Sequence, residues 1–195
     1  MQEEGYIKFT CDWIQEPISL FKEFKGLNNI RLSLYQKRLI GVLDNGVGFG
    51  NISARLESGE GLFVITGSAT GGKSHLSIDD YSIVLEADIE DNYVKCKGVV
   101  KASSESMSHF AVYTAQEGAR CVIHVHDEEL WDKMKGRAVN TTKKAEYGSV
   151  LLAKEIMSLA GQNEKEIVML GHYPGLLFWG ESIDDAYNRL LKWIE

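Results

Sequence analysis

VVKASSESMSHFAVYTAQEGARCVIHVHD, residues 99–127, holds two elements that belong to one piece of chemistry. Ser103-Ser104-Glu105 opens a predicted helix with Met107, Phe110, Ala111 and Ala115 as its apolar stripe, and Gly118 stops it. CVIHVHD then reads as a buried strand ending in polar residues. Alternate side chains of a strand share a face, so His124 and His126 project together while Val125 points away. Two imidazoles on one face, roughly 6–7 Å apart at the backbone, can converge on one metal ion. Glu105 lies at the helix start, where the positive helix end favours a carboxylate or a phosphate. An H-x-H pair alone is often packing, and a first-turn glutamate is often a surface residue. Joined by one short helix, the two narrow the reading to a metal site that needs a third ligand to close it.

Composition limits the partners. The 195 residues suit one domain spanning 1–195, with enough chain for a substantial core. A formal net charge of -7 argues against a nucleic-acid surface or an anionic membrane partner, because both require clustered Lys and Arg. Cys11, Cys96 and Cys121 are odd in number and widely spaced, fitting neither a disulfide framework nor a C-x-x-C metal knuckle, which points to a reducing compartment. The start MQEEGYIKFT lacks the basic-then-apolar pattern of a signal peptide, and no apolar run approaches a membrane span. The expectation is a cytoplasmic protein.

Outward from the central stretch, a helix is expected over 12–27, with Ile18, Phe21 and Phe24 as its stripe and Gly26 as its stop. A second is expected through Leu32, Tyr35, Leu39, Ile40 and Leu43, ended by Asn45-Gly46. Asn51–Arg55 and Leu62–Thr66 read as strands, and YSIVLEADI and YVKCKGVV as a hairpin turning at Asp91-Asn92. ELWDKMKG is a short helix, 137–148 a loop, and Leu152, Ile156 and Leu159 mark a helix capped by Gly161. Ile167–Leu170 delivers His172 to a Tyr-Pro-Gly turn, and Leu176–Trp179 returns as its hairpin partner. Ser182-Ile183-Asp184-Asp185 starts a last helix with Ile183, Ala186, Tyr187, Leu190, Leu191 and Ile194 on one face. This order fits one layered α+β or α/β/α domain.

Gly67-Ser68-Ala69-Thr70-Gly71-Gly72-Lys73-Ser74 matches the G-x-x-x-x-G-K-S pattern of a nucleotide-binding P-loop. That mechanism needs a helix directly after Lys-Ser, and the following HLSIDDY has no helical stripe. The loop therefore reads as a general anion cradle built from backbone N–H groups.

His172, at a strand end, is the natural third ligand for His124 and His126, although a turn histidine bonded to backbone is the plain alternative. GNISAR at 50–55, VIT with its glycine loop at 64–72, SSE at 103–105, HVH at 124–126, EYG at 146–148 and GHYPGLLFWGESIDDA at 171–186 come in a familiar order. From about residue 28 onward the chain resembles the class II aldolase/adducin family, most of all its fuculose-phosphate and rhamnulose-phosphate type aldolases. The resemblance implies an α/β/α fold with a mostly antiparallel central sheet, a zinc ion and a homotetramer with active sites at subunit contacts. It makes His124, His126 and His172 the zinc ligands and Glu105 the acid/base. Gly50, Asn51, Ser103, Ser104 and the loop at Thr70-Gly71 would hold the substrate phosphate. In the family the third histidine directly precedes the glycine of the last hairpin. Here Pro174 stands there and His172 lies two positions earlier, so the turn must be reshaped for His172 to reach the metal. The family's aldolases also use a tyrosine from a loop after H-x-H, and the first tyrosine after HVH here is Tyr147.

The chemistry suits the residues. Three neutral imidazoles leave a zinc ion its charge and an open position, from which it polarises a ketose carbonyl and stabilises an enediolate. The expected function is retro-aldol cleavage of a small phosphorylated ketose. The alternatives are an epimerase or dehydratase of the same superfamily, or a non-catalytic adducin-like interaction module. His75 and His109 match nothing in this scheme and read as structural or surface residues.

Overall fold

In this computed structural model, which describes residues 6–57, 59, 61–162 and 164–194, strand β1 (Thr10–Ile14) precedes helix α1 (Phe24–Gln36). A small ribbon follows, β2 (Gly41–Val42) with β3 (Gly48–Phe49). Then come β4 (Asn51–Arg55), β5 (Phe63–Thr66), β6 (Tyr81–Asp88) and β7 (Tyr93–Lys97). The middle of the chain supplies α2 (Ser106–Ala115), β8 (Cys121–His126), α3 (Glu128–Met134) and β9 (Val139–Asn140). The last third is α4 (Val150–Ala160), β10 (Glu166–Val168), β11 (Gly175–Gly180) and α5 (Ile183–Ile194).

Among the described residues, nine strands form one sheet in the order β1-β7-β6-β5-β4-β8-β11-β10-β9. Its outer pairs, β1 with β7 and β9 with β10, run parallel; the other neighbouring pairs are antiparallel. Both faces are covered. On one, Met107 and Ala111 of α2 and Ala153 and Ile156 of α4 pack with Phe63, Ile65, Val122 and Trp179. On the other, Leu27 and Leu34 of α1, Met134 of α3 and Leu190 of α5 pack with Ile52, Val64, Ile123 and Phe178. The expected α/β/α layering with a mostly antiparallel sheet is what the chain adopts.

The polar residues of β4 set the position of α2. Ile52 and Ala54 face the α1 side, so Asn51, Ser53 and Arg55 face α2 by alternation. Arg55 donates to the carbonyls of Tyr113, Gln116 and Ala119 at 2.7, 3.2 and 3.0 Å. Those carbonyls lie at and just beyond the helix end, where a cation is favoured. Midway, the Ser53 hydroxyl lies 2.7 Å from His109 Nδ1 and 2.8 Å from the Tyr113 hydroxyl. With its far end and its middle anchored in this way, α2 begins directly after its cap residue Glu105, beside the histidine strand.

Two expectations are corrected near the start of the chain. Residues 12–27 are not one helix: Thr10–Ile14 is an edge strand paired with Tyr93–Lys97, and the helix begins only at Phe24. The second predicted helix ends at Gln36, not near Leu43. Arg38 takes a left-handed φ of 61°, and the N–H groups of Lys37 and Arg38 close on the carbonyls of Ser33 and Tyr35. Leu39 and Ile40 are buried in the bend that follows the helix, in the same apolar layer as Leu27 and Leu34. The 137–148 loop also contains β9, a two-residue edge strand. Residues 78–80 form a single 3-10 turn, so no helix follows the glycine loop directly. Among the described residues, no helix is long and apolar enough to cross a membrane.

Candidate active site

Antiparallel register brings the site together. Asn51 of β4 pairs with His124 of β8, which pairs on its other side with Leu177 of β11. Val122 and Leu177 belong to the α2-side core, so His124, His126 and Asn51 present their side chains to that same layer. His126 pairs with Gly175. A Cβ at Gly175 would stand 2.6 Å from the His172 carbonyl oxygen and 3.1 Å from His124 Cε1, so the missing side chain leaves the room that the rings need.

The turn after β10 solves the displaced third histidine. The His172 carbonyl accepts from Gly175 N–H at 2.6 Å, and the Tyr173–Pro174 peptide between them is cis. His172 is thereby folded back onto the pair, its ring centroid 5.1 Å from that of His124 and 4.9 Å from that of His126. One nitrogen from each of the three lies within 4.8 Å of the others. All are buried, at 1 %, 6 % and 2 % exposure for His124, His126 and His172.

These residues fit a metal ion. His124 Nδ1 lies 3.0 Å from the Leu176 carbonyl oxygen, which can only accept, so Nδ1 carries the proton and Nε2 presents its lone pair. His124 Nε2 and His126 Nε2 are 3.0 Å apart; tetrahedral zinc with bonds of ~2.0–2.1 Å holds its nitrogens about 3.3 Å apart. Burial first, then the neighbouring His126, His172 and His109, hold His124 well below its ordinary pKa and hence neutral. Imidazole sets of this kind suit zinc, copper, iron or nickel. The Glu105 carboxylate approaches from the helix side, with Oε1 3.8 Å from His172 Nδ1.

A cavity of about 190 Å³ opens against His124. Its wall includes Glu105 and each residue that the resemblance assigns to the substrate phosphate, Gly50, Asn51, Thr70, Gly71, Ser103 and Ser104, whereas His126 and His172 lie behind His124 and are not part of that wall. It also includes Tyr6, Phe49 and Tyr147, to which the sequence assigns no role. Tyr147 lies 4.7 Å from the His172 ring and donates its hydroxyl to the Tyr6 carbonyl at 2.9 Å. Among the described residues no Lys or Arg lines the cavity, so an anion there would rely on N–H groups, hydroxyls and the start of α2.

Gly50 sits at φ +73°, and a Cβ there would meet Ile40 Cγ1 at 2.7 Å. The Thr70 hydroxyl donates to the Gly67 carbonyl at 2.8 Å, which braces the glycine loop across its own turn. Ser103 Oγ accepts from Glu105 N–H at 3.3 Å and keeps its own proton to donate.

Sequence reasoning misses the residue that shapes the glycine loop. Arg31 of α1 is 1 % exposed and donates to the carbonyls of Thr70 and Gly71, each at 3.0 Å, of Ser74 at 3.2 Å, and of Lys73. A signal exists: Leu27, Arg31 and Leu34 share one face of α1 at helical spacing, and that face is buried. Lys73, which a P-loop would aim at a nucleotide, is paired instead with the Asp80 carboxylate. His75 is exposed, whereas His109 is buried in the Ser53–Tyr113 network and is pushed down to about 3 by burial.

Comparison with known proteins agrees with this geometry. Residues 43–194 match the model of the Class II Aldolase and Adducin N-terminal domain. A search of curated proteins returns no match. Among solved structures, YgbL of Klebsiella pneumoniae, a candidate aldolase/epimerase/decarboxylase, superposes with a TM-score of 0.67 at 17 % identity, covering 89 % of this chain and 86 % of its own. L-fuculose-1-phosphate aldolase from Thermus thermophilus gives 0.60 at 21 % identity, covering 87 % and 88 %. A sugar-phosphate aldolase from Thermotoga maritima gives 0.61 at 17 % identity, covering 88 % and 90 %. At such identities the likeness concerns the fold; the match over 43–194 carries the family, and the chain belongs to the class II aldolase/adducin N-terminal domain family.

Proposed function

We propose that the protein is a metal-dependent lyase, with zinc as the metal, that cleaves a small phosphorylated ketose by a retro-aldol reaction. The observation that carries this reading is the shared cavity wall. Anion-binding groups at Gly50, Asn51, Thr70, Gly71, Ser103 and Ser104 stand on the same cavity as His124 and Glu105. A zinc ion on His124, His126 and His172 would supply the Lewis acidity that polarises the ketose carbonyl and steadies the enediolate charge. The residues of the chain do the rest. Backbone N–H groups of the glycine loop and the hydroxyls of Ser103 and Ser104 hold the phosphate, which turns binding into orientation. Glu105, 3 % exposed at the start of α2, moves the proton between substrate oxygen and carbon as the carbon–carbon bond breaks. The names of the superposing aldolases support the same substrate class, and the family resemblance supports a homotetramer.

The test is product analysis with zinc-loaded protein on a panel of ketose 1-phosphates, beside Glu105→Gln. The expected result is an aldehyde plus a phosphorylated ketone fragment. In the variant, turnover falls by about 10²–10⁴-fold while zinc is retained. Inverted sugar stereochemistry without fragments would replace the lyase reading with an epimerase. Loss of water without fragments would point to a dehydratase. Bound zinc with no turnover of any phosphorylated sugar would leave a binding module.

A further inference from the structure

Cys11 and Cys96 stand apart from the site, and their sulfurs are 3.9 Å from each other. In the parallel β1–β7 register Cys11 faces Val94 and Cys96 faces Trp13, so the two thiols are diagonal neighbours on one face of the sheet. Their exposure differs in a useful way: Cys11 is half-buried, Cys96 fully buried. The Cys96 thiol donating to the Cys11 sulfur is the main influence on Cys11. With help from the charge of Lys101, and against burial, it brings Cys11 down to about 7. Lys101 is held nearby, its ammonium 5.5 Å from the Trp13 ring centre. Cys96 is pushed upward by the same bond and by burial, so it keeps its proton. A reactive thiolate beside a resolving thiol is the arrangement of redox-sensing cysteines.

We propose that Cys11 and Cys96 are an oxidisable pair that a hydroperoxide converts to an intrachain disulfide stapling β1 to β7. The Cys11 thiolate attacks the peroxide, the O–O bond breaks, and Cys11 becomes a sulfenic acid as water or an alcohol leaves. The Cys96 sulfur then displaces that hydroxyl: the S–S bond forms, the S–O bond breaks, and water departs with the thiol proton. The two thiols give up two electrons, and the peroxide accepts them. Closing the sulfurs from 3.9 Å to a bond of ~2.05 Å asks for a shift of β1, which among the described residues is an edge strand paired with β7 alone. Just before β1, Tyr6 accepts from the Tyr147 hydroxyl and the Lys8 ammonium lies 5.2 Å from the Tyr147 ring centre. The staple therefore acts on the segment that touches the cavity.

The experiment treats the folded protein with hydrogen peroxide, alkylates the remaining thiols and maps peptides by mass spectrometry. The expected product joins the Cys11 and Cys96 peptides, the chain loses two hydrogens in mass, and dithiothreitol restores it. Cys121, fully buried and with its thiol pushed up by burial, stays reduced as an internal control. In Cys96→Ser, Cys11 stops at a sulfenic acid that dimedone traps; in Cys11→Ser, Cys96 does not react. Three intact thiols in the wild type, a Cys11 sulfinic acid without a bridge, or only chain-to-chain Cys11 links would overturn the proposal. The wild-type map decides the matter even if a buried-site variant fails to fold.

Discussion

His124 Nδ1 donates to the Leu176 carbonyl across the β8–β11 pair at 3.0 Å. A backbone carbonyl on the neighbouring strand thus fixes the tautomer of a buried ring before any ion arrives. Replacing both His124 and His126 by Ala removes two of three ligands. Elemental analysis should show metal falling from about one ion per chain to less than about a tenth of that. Retained secondary structure by circular dichroism would separate the loss from unfolding.

The Arg31 guanidinium distributes its donors over four carbonyls of the glycine loop. Arg31→Met would leave those buried acceptors without a donor, at a cost of about 2–4 kcal/mol in urea unfolding. Because the loop lines the cavity, KM for a phosphorylated substrate should rise more than kcat falls.

Adjacent glycines in that loop make a sharper contrast. A Cβ at Gly71 would stand 2.2 Å from the Gly41 carbonyl oxygen, a backbone atom that cannot turn away. One at Gly72 would meet only Val42 Cγ2, at 2.9 Å, on an exposed side chain that can rotate. Gly71→Ala should raise KM by about 10-fold or more, equivalent to about 1.4 kcal/mol. Gly72→Ala should change it by less than about 2-fold. Equal effects in steady-state kinetics would contradict the close packing of the loop on β2.

His109 is one source of pH-dependent stability, beside the buried His124, which is likewise held well below its ordinary value. Burial lowers His109 from 6.5 to about 3, so the folded state holds it neutral while the unfolded chain protonates it below 6.5. Its contribution is complete above pH 6.5 and is lost as pH falls toward 3. In metal-free protein, each pH unit below 6.5 should cost up to about 1.4 kcal/mol. Urea titrations of His109→Gln should show a shallower acid limb than the wild type; parallel limbs would assign the acid sensitivity elsewhere.

Local chemistry makes much of this readable from sequence. The alternation in CVIHVHD and the helix after SSE encode their geometry within a few residues, and the Asp91-Asn92 turn sits where the hairpin closes. The differences are long-range. Residues 10–14 become strand because Tyr93–Lys97, some eighty positions later, offers a ladder, and Trp13 Nε1 donates to the Gly98 carbonyl at 2.9 Å. Leu39 and Ile40 keep their helical spacing but fill the core after the helix has ended at a left-handed Arg38. The helical spacing puts Arg31 on the face of Leu27 and Leu34, but what it anchors is not legible, because its partners are backbone carbonyls, which carry no sequence signature.

The pairing of Asn51 with His124 and of His126 with Gly175 also dictates where the chain can change length. A residue inserted within β4 or β11 would put the two parts of the strand on opposite faces; with the core residues after the insertion kept in register, Asn51 or Gly175, at the strand's first position, falls out of phase with the histidines. Insertions in the turns beyond Arg55 or Ile89 leave that phase untouched. Relatives diverging from this chain should therefore accumulate length variation in those turns, while β4, β8 and β11 keep a constant count of residues.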